Sequence, residues 1–149
     1  MNADGSNEKK IIASVTESLT CDMQNKVDWE RIESICIAGS LQIMSFTITE
    51  KGYKLKKENG AYLESVKQDL QMGPNQVKSF MGKITSLLYK RYLNGAKSVS
   101  LVSMDNCSHN GDVLHDSIVD IARNWTERNL VNKEFNQYLE ENITYPCTM

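Results

Sequence analysis

The chain has 149 residues, of which 17 are basic and 19 acidic, so its net charge is −2. A chain of this length forms one domain with a single hydrophobic core. No block of about five like charges is present, which argues against nucleic acid or a membrane surface as a partner. The polar amino terminus lacks the apolar core of a signal peptide, and no later run approaches the ~18 apolar residues of a membrane span. We therefore predict a cytoplasmic protein.

The cysteines are widely scattered, and the chain has only two histidines. No CxxC pair is present, which argues against a structural zinc site and against a disulfide scaffold. We expect no metal site and four free thiols, at Cys21, Cys36, Cys107 and Cys147.

The first third of the chain predicts two strands and a helix. Residues 1–8 are expected to form a disordered lead-in, and Lys9–Leu19 has a short apolar core that suits a strand, although a helix fits as well. Asp28 is expected to cap a helix over Trp29–Ala38. The β-branched and apolar run Leu41–Thr49 predicts a strand.

The middle of the chain is predominantly helical. The charged segment Lys54–Gly60 reads as a loop, and a helix is predicted over Ala61–Gln71, where Gly73 and a proline end it. From Asn75 apolar residues recur at helical spacing for nearly five turns, and Gly95 lies where a C-terminal glycine belongs.

The last third begins with an apolar strand, Ser98–Ser103, followed by a polar loop. A helix starts at Asn110 or Asp112, and another is predicted over Lys133–Glu141. Strands that alternate with helices of ten or more residues imply an α/β fold with a mainly parallel sheet, flanked by helices.

Polar residues follow the two central strands, in Thr47–Tyr53 and in Ser103–Gly111. The carboxyl ends of parallel strands open onto one edge of a sheet, where ligands bind in open α/β folds. Each segment alone also suits an ordinary solvated strand exit, because Asn, Asp and Gly are common in turns. Two such exits on one sheet favour a site.

The phosphate-binding signatures of nucleotide-binding sheets are missing from this sequence. The eight glycines are too far apart for even one GxG, and no GxxxxGK is present. If the fold binds a nucleotide, its phosphate-binding element lies outside this chain.

Two segments of the sequence resemble those of a known family. SFTITEKGY (Ser45–Tyr53) and SMDNCSHNG (Ser103–Gly111) resemble two signature segments of the mannitol dehydrogenase family, the polyol-specific long-chain dehydrogenases. The spacing and the intervening helix are similar too, so the resemblance covers nearly the whole chain. It implies a partial Rossmann-like fold, with 9–149 as the second half of an NAD(P)-binding domain.

The resemblance also implies chemistry. The family moves a hydride between NAD or NADP and a polyol, ketose or sugar acid, without a metal. Asn106 matches an asparagine that holds the reacting oxygen, and Asp105 either orients that amide or caps the turn. Thr49 and Glu50 match a strand end near the cofactor, so these two residues and Asn106 are candidates for cofactor binding.

The loop holds three further polar candidates. His109 either contacts the substrate or cofactor or is a surface histidine in a turn. Asn110 is expected to cap the following helix, close to the substrate. Cys107 would be a reactive thiol only if its pKa were lowered, and no cation adjoins it in the sequence.

The chain departs from the family pattern in two ways. It lacks the glycine fingerprint and the Lys-x-x-x-x-Asn-x-x-His arrangement that supplies the family's base. We therefore expect a fragment that is inactive alone. The alternatives are a non-enzymatic half of a split protein that docks a complementary chain, or associates with itself, through an exposed sheet edge, and an inactive gene remnant.

Overall fold

A computed structural model describes residues 13–95 and 97–149, apart from the side chain of Glu50. The predicted lead-in and the start of the predicted strand over Lys9–Leu19 lie outside this range. Helices separate the successive strands, as expected. In chain order they are α1 (Lys26–Ile37), β1 (Ile43–Phe46), α2 (Thr49–Tyr53), α3 (Glu64–Met72), α4 (Phe80–Leu93), β2 (Val99–Ser103), α5 (Asn110–Glu127), α6 (Glu134–Glu141) and β3 (Ile143–Thr144).

The strands described form one parallel sheet in the order β1-β2-β3. Phe46 at the end of β1 pairs with Ser103 at the end of β2, and Val99 at the start of β2 pairs with Ile143 of β3. The α/β prediction with a mainly parallel sheet flanked by helices is confirmed. The register brings the ends of β1 and β2 to the same edge.

The core lies where the central strand meets the helices. Along β2 the side chains at alternate positions are buried, and Leu101 is fully so, as expected of a strand with helices packed against it. The periodic apolar faces predicted for the segments that form α4, α5 and α6 supply most of the other core residues. Members with no exposed surface are Leu88, Leu114, Ile118, Ile121, Ala122, Trp125, Phe135 and Leu139.

Some element predictions are wrong in detail. Residues 13–19 form a turn and irregular backbone instead of a strand, and Val15 is 67% exposed. Asn25, not Asp28, caps α1, because its side chain accepts the Asp28 backbone N–H at 3.3 Å. The Asp28 carboxylate instead accepts the N–H of Thr20 at 2.8 Å. The two-residue strand β3 is too short for a sequence pattern to indicate.

The predicted strand over Leu41–Thr49 is only four residues long. It ends at Phe46, and α2 begins at Thr49, whose φ of 63° places it in the left-handed region. A β-branched residue pays a steric penalty in that conformation, so the surrounding contacts must hold it. Those contacts come from the loop after β2, as described below.

Arg91 of α4 ties the amino-terminal edge of the sheet together. Its side chain is buried, and its nitrogens donate to the carbonyls of Ala38, Leu41, Lys97 and Ser98 at 2.7–3.0 Å and to that of Cys36. The partly negative carbonyls at the end of α1 compensate the buried guanidinium charge. One side chain thus fixes the end of α1 and the starts of β1 and β2.

We predict that Arg91→Lys lowers the free energy of unfolding by roughly 3 kcal/mol, because an ammonium with three donors leaves buried carbonyls unpaired. Urea denaturation monitored by circular dichroism measures the change. Arg123→Lys is the matched control on the exposed surface of α5, and it should shift stability by less than about 0.5 kcal/mol. Equal stability of the two variants would contradict the role given to Arg91.

None of the helices in the described ranges is long and apolar enough to cross a membrane.

Candidate functional site

A crevice opens at the carboxyl edge of the sheet, between the segment after β1 and the loop after β2. Its volume is about 530 Å³. Polar and apolar side chains from both segments and from the first turn of α5 line it, namely Tyr53, Lys54, Asn106, Cys107, Ser108 and Val113. The two segments singled out in the sequence therefore meet.

Asp105 joins the two strand exits. Its Oδ2 accepts the backbone N–H of Ile48 at 2.8 Å and its Oδ1 accepts that of Thr49 at 2.9 Å. The same Oδ2 accepts the Tyr53 hydroxyl at 2.6 Å. The backbone donation by Ile48 and the hydroxyl of Tyr53 are the main reasons that the pKa of Asp105 lies below its usual 3.8.

From the sequence, Asp105 is expected either to orient the Asn106 amide or to cap the turn, and the structure shows a different form of the second role. Its carboxylate makes no hydrogen bond to the Asn106 amide in the part of the chain that the structure describes. It caps a turn, but the turn belongs to the neighbouring strand exit, some fifty residues earlier in the chain. This bond also holds Thr49 in its left-handed conformation.

Tyr53 is a site residue that the sequence reading missed. It is 2% exposed, and its hydroxyl donates to Asp105 and lies 2.8 Å from the Ser103 hydroxyl. Burial, followed by the hydrogen bond to Asp105, raises the pKa of Tyr53 to about 12, so the hydroxyl stays protonated as a donor. The available signal was an aromatic residue one helical turn after Thr49 in the family string.

Asn106 lies at the wall of the crevice. It is exposed and lines the cavity, and its side chain makes no hydrogen bond to the described residues. Both amide hydrogens and the amide oxygen are thus available to a ligand. Thr49 is exposed beside the crevice without lining it, and Glu50 lies in the first turn of α2. Their contact with a cofactor stays a prediction.

Asn110 has a different role from the one expected. His109 occupies the N-cap position of α5, in left-handed conformation with φ 54° and without a capping side-chain hydrogen bond, and Asn110 is already the first helical residue, so the capping prediction for Asn110 is wrong. Asn110 is fully buried, and its Nδ2 donates to the carbonyls of Ser103 at 3.3 Å and Asp105 at 3.0 Å. Its amide also exchanges two hydrogen bonds with Thr148. The side chain holds the loop in place from behind the crevice.

His109 and Cys107 lie on the outer part of the loop. The His109 side chain is 80% exposed, and its Nδ1 is 3.3 Å from Oδ2 of Asp112. Cys107 is half-buried and lines the crevice. Contact of His109 with substrate stays a prediction.

Comparison with known proteins identifies the family. The family model described as "Mannitol dehydrogenase Rossmann domain" matches residues 3–149 of the chain. The chain belongs to the mannitol dehydrogenase family. The resemblance drawn from Ser45–Tyr53 and Ser103–Gly111 is thereby confirmed, and the family is one of NAD(P)-dependent oxidoreductases.

Two D-mannonate oxidoreductases are among the relatives. That of Thermotoga maritima is 42% identical over 146 residues, which is 98% of this chain and 27% of that protein. That of Escherichia coli is 32% identical over 97% of this chain and 28% of that protein. The chain thus spans about a quarter of the length of these relatives.

Solved structures share the fold. D-sorbitol dehydrogenase in substrate-free form is 29% identical, with a TM-score of 0.64, over 80% of this chain and 24% of that one. Mannitol 2-dehydrogenase of Pseudomonas fluorescens, solved with NAD and D-mannitol, has the same TM-score at 24% identity and the same coverage. The Rossmann-type architecture is therefore shared with dehydrogenases.

The nicotinamide cofactor of the family would find only part of a binding site among these residues. The crevice offers an uncommitted amide at Asn106 beside the end of the parallel sheet. No glycine-rich turn exists in the sequence to receive a pyrophosphate. The dinucleotide as a whole would need phosphate-binding groups from elsewhere.

We predict that Asp105→Asn lowers the melting temperature at neutral pH by several degrees, because one amide oxygen cannot serve three donors. Wild-type Asp105 has a depressed pKa, so its contribution is present above pH 3.8 and is lost as pH falls through the lower folded value. The variant should therefore lose less stability in acid. Thermal scans across this range measure both effects.

Glu127→Gln, in the last turn of α5, is the matched control and should change neither quantity. A variant at Asp105 that melts like wild type and keeps the same acid sensitivity would show that the carboxylate does not hold the two exits together.

Proposed function

We propose that this chain forms one wall of the active site of an NAD(P)-dependent oxidoreductase that acts on a sugar acid of the D-mannonate type. Residues 9–149 would be the second half of its Rossmann-like domain. The crevice with the exposed Asn106 amide carries the proposal. The 42% identity to a D-mannonate oxidoreductase supports a sugar acid over a neutral polyol such as mannitol.

Asn106 is the residue proposed to hold the reacting oxygen. A carbonyl oxygen gains negative charge as its carbon accepts a hydride. A neutral amide N–H directed at that oxygen stabilises the charge without a change in its own protonation. Asn106 has no competing hydrogen bond in the described part of the chain, so its donors are free for this task.

Asp105 and Asn110 act as positioning residues. The Asp105 carboxylate fixes the loop to the neighbouring strand exit, and the Asn110 amide fixes the loop's carbonyls from the other side. The backbone that immediately precedes Asn106 is thus fixed, which limits the positions its amide can reach, as stabilisation of a developing charge requires. Thr49 and Glu50 would then lie on the cofactor side of the crevice.

The cofactor supplies the hydride chemistry, and this chain supplies orientation and electrostatics. The family's Lys-x-x-x-x-Asn-x-x-His arrangement does not occur in this sequence. The chain spans only 27% of the length of the Thermotoga maritima relative. The proton-transferring base and the phosphate-binding turn would therefore come from other segments, and the chain alone would be inactive.

A chimeric enzyme tests the role of Asn106. This chain replaces the matching quarter of the Thermotoga maritima D-mannonate oxidoreductase, and NADH formation from D-mannonate is followed. Asn106→Ala should lower kcat by about 10²- to 10³-fold, because one donor to the reacting oxygen is lost. KM for D-mannonate should change much less.

Asn94→Ala is the matched control, since Asn94 is an exposed asparagine at the far end of α4, and it should keep full activity. Circular dichroism checks that all variants fold. Asn106→Ala with kcat within about twofold of the parent would reject the proposed role.

A second candidate is a half-protein that docks a complementary chain, and the outer edge of β1 favours it. Carbonyls of Gln42 and Phe46 accept from β2, so by alternation the backbone groups of Ile43 and Ser45 point to the other side. No described strand pairs there. Ile43 is 60% exposed, and a nearby groove is lined by Ile32, Ile35, Cys36, Leu41, Met44 and Leu87.

This edge fits a parallel strand from a segment that carries the family's glycine-rich turn. We predict that such a segment from a relative forms a complex with this chain, detected by size-exclusion chromatography. Ser45→Pro removes an outward N–H without disturbing pairing with β2, so it should weaken binding at least about tenfold.

Ser45→Thr keeps the N–H and should bind like wild type. Failure of the wild-type chain to form the complex, or equal binding by Ser45→Pro, would reject docking at this edge.

A further inference from the structure

A group of metal-ligating side chains lies outside the crevice, at the first turn of α5. His109, Asp112 and Cys147 each offer one ligand atom, and these atoms all lie within 4.8 Å of one another. His109 and Asp112 are three residues apart, but Cys147 is nearly forty residues further along the chain. The fold therefore brings together a cysteine and a histidine that lie far apart in the sequence.

The backbone positions of these residues are fixed by the tail that crosses the start of α5. Thr148 donates its N–H to Asn110 at 3.0 Å and its hydroxyl to the Ser103 carbonyl at 2.7 Å. The backbone of the tail also passes so close to Gly111 that an added Cβ would lie 2.9 Å from the Cys147 nitrogen. Glycine is thus required for the approach that places the cysteine here.

The spacing suits a tetrahedral ion. Bonds of about 2.0–2.3 Å to zinc put neighbouring ligand atoms roughly 3.3–3.8 Å apart. His109 Nδ1 and Asp112 Oδ2 are already 3.3 Å apart. All three side chains are exposed, so a rotation about the Cys147 side-chain bonds can close the remaining gap without disturbing the core.

The ligand types select the metal. A thiolate together with an imidazole favours Zn²⁺ over Mg²⁺ or Ca²⁺, which prefer oxygen ligands. The carboxylate and the thiolate bring two negative charges, which balance the ion at the positive end of the helix.

We propose that His109, Asp112 and Cys147 form a Zn²⁺ site, with a water molecule in the fourth position. The ion fastens the tail at 145–149 to the first turn of α5, directly behind the loop that carries Asn106. This proposal departs from the expectation of no metal site drawn from the sequence. This site is assembled by tertiary structure and does not rest on the proposed function.

Metal titration of the reduced 149-residue chain tests the site. Zn²⁺ is titrated in competition with a chromophoric chelator, and Co²⁺ serves as the spectroscopic probe. We expect one ion per chain and a thiolate-to-cobalt charge-transfer band. Cys147→Ser should abolish that band, and His109→Ala and Asp112→Asn should each weaken Zn²⁺ binding at least about tenfold.

Cys107→Ser is the matched control, because it removes the same chemical group elsewhere in the chain, and it should bind the ion like wild type. Amide hydrogen exchange at 145–148 should slow on addition of Zn²⁺ in wild type and not in Cys147→Ser. Absence of one-to-one binding by wild type, or an unchanged cobalt band in Cys147→Ser, would overturn the proposal.

Discussion

The crevice depends on the hydrogen bonds that the Asp105 carboxylate accepts. The carboxylate lies at the end of the central strand and accepts two backbone N–H groups and a tyrosine hydroxyl from the segment after the neighbouring strand. This bond stops β1, starts α2 and holds Thr49 in a left-handed conformation that its branched side chain disfavours. The two strand exits become one rigid edge, and Asn106 is the next residue along the chain.

The parallel α/β architecture could be predicted from sequence, because long amphipathic helices alternating with short apolar strands leave few other arrangements. The end of β1 at Phe46 could not be predicted in this way. Residues Thr47, Ile48 and Thr49 have strong strand preferences, and the carboxylate that overrides them comes from Asp105, over fifty residues later. A prediction based on neighbouring residues has no access to that contact.

Asn110 and Cys147 illustrate the same limit at the site. An asparagine at the start of a helix is typical of a cap in the local sequence. In the fold, the amide of Asn110 instead donates to buried carbonyls at and just after the end of β2, which would otherwise lack a hydrogen-bond partner. Cys147 has no ligand near it in sequence, and only the crossing of the tail over Gly111 brings it to His109. Asn106, by contrast, could be singled out from the sequence because its family motif is local; it lines the crevice, and its contact with a substrate stays a prediction.

We propose that this chain supplies one wall of an oxidoreductase site whose other walls lie in other segments. The direct measurement is D-mannonate-dependent reduction of NAD(P), first by the purified chain alone and then by the chain mixed with the remaining segments of its Thermotoga maritima relative. We expect no turnover from the chain alone and restored turnover from the mixture. Turnover by the chain alone would contradict the claim, as would a mixture that forms a complex and stays inactive.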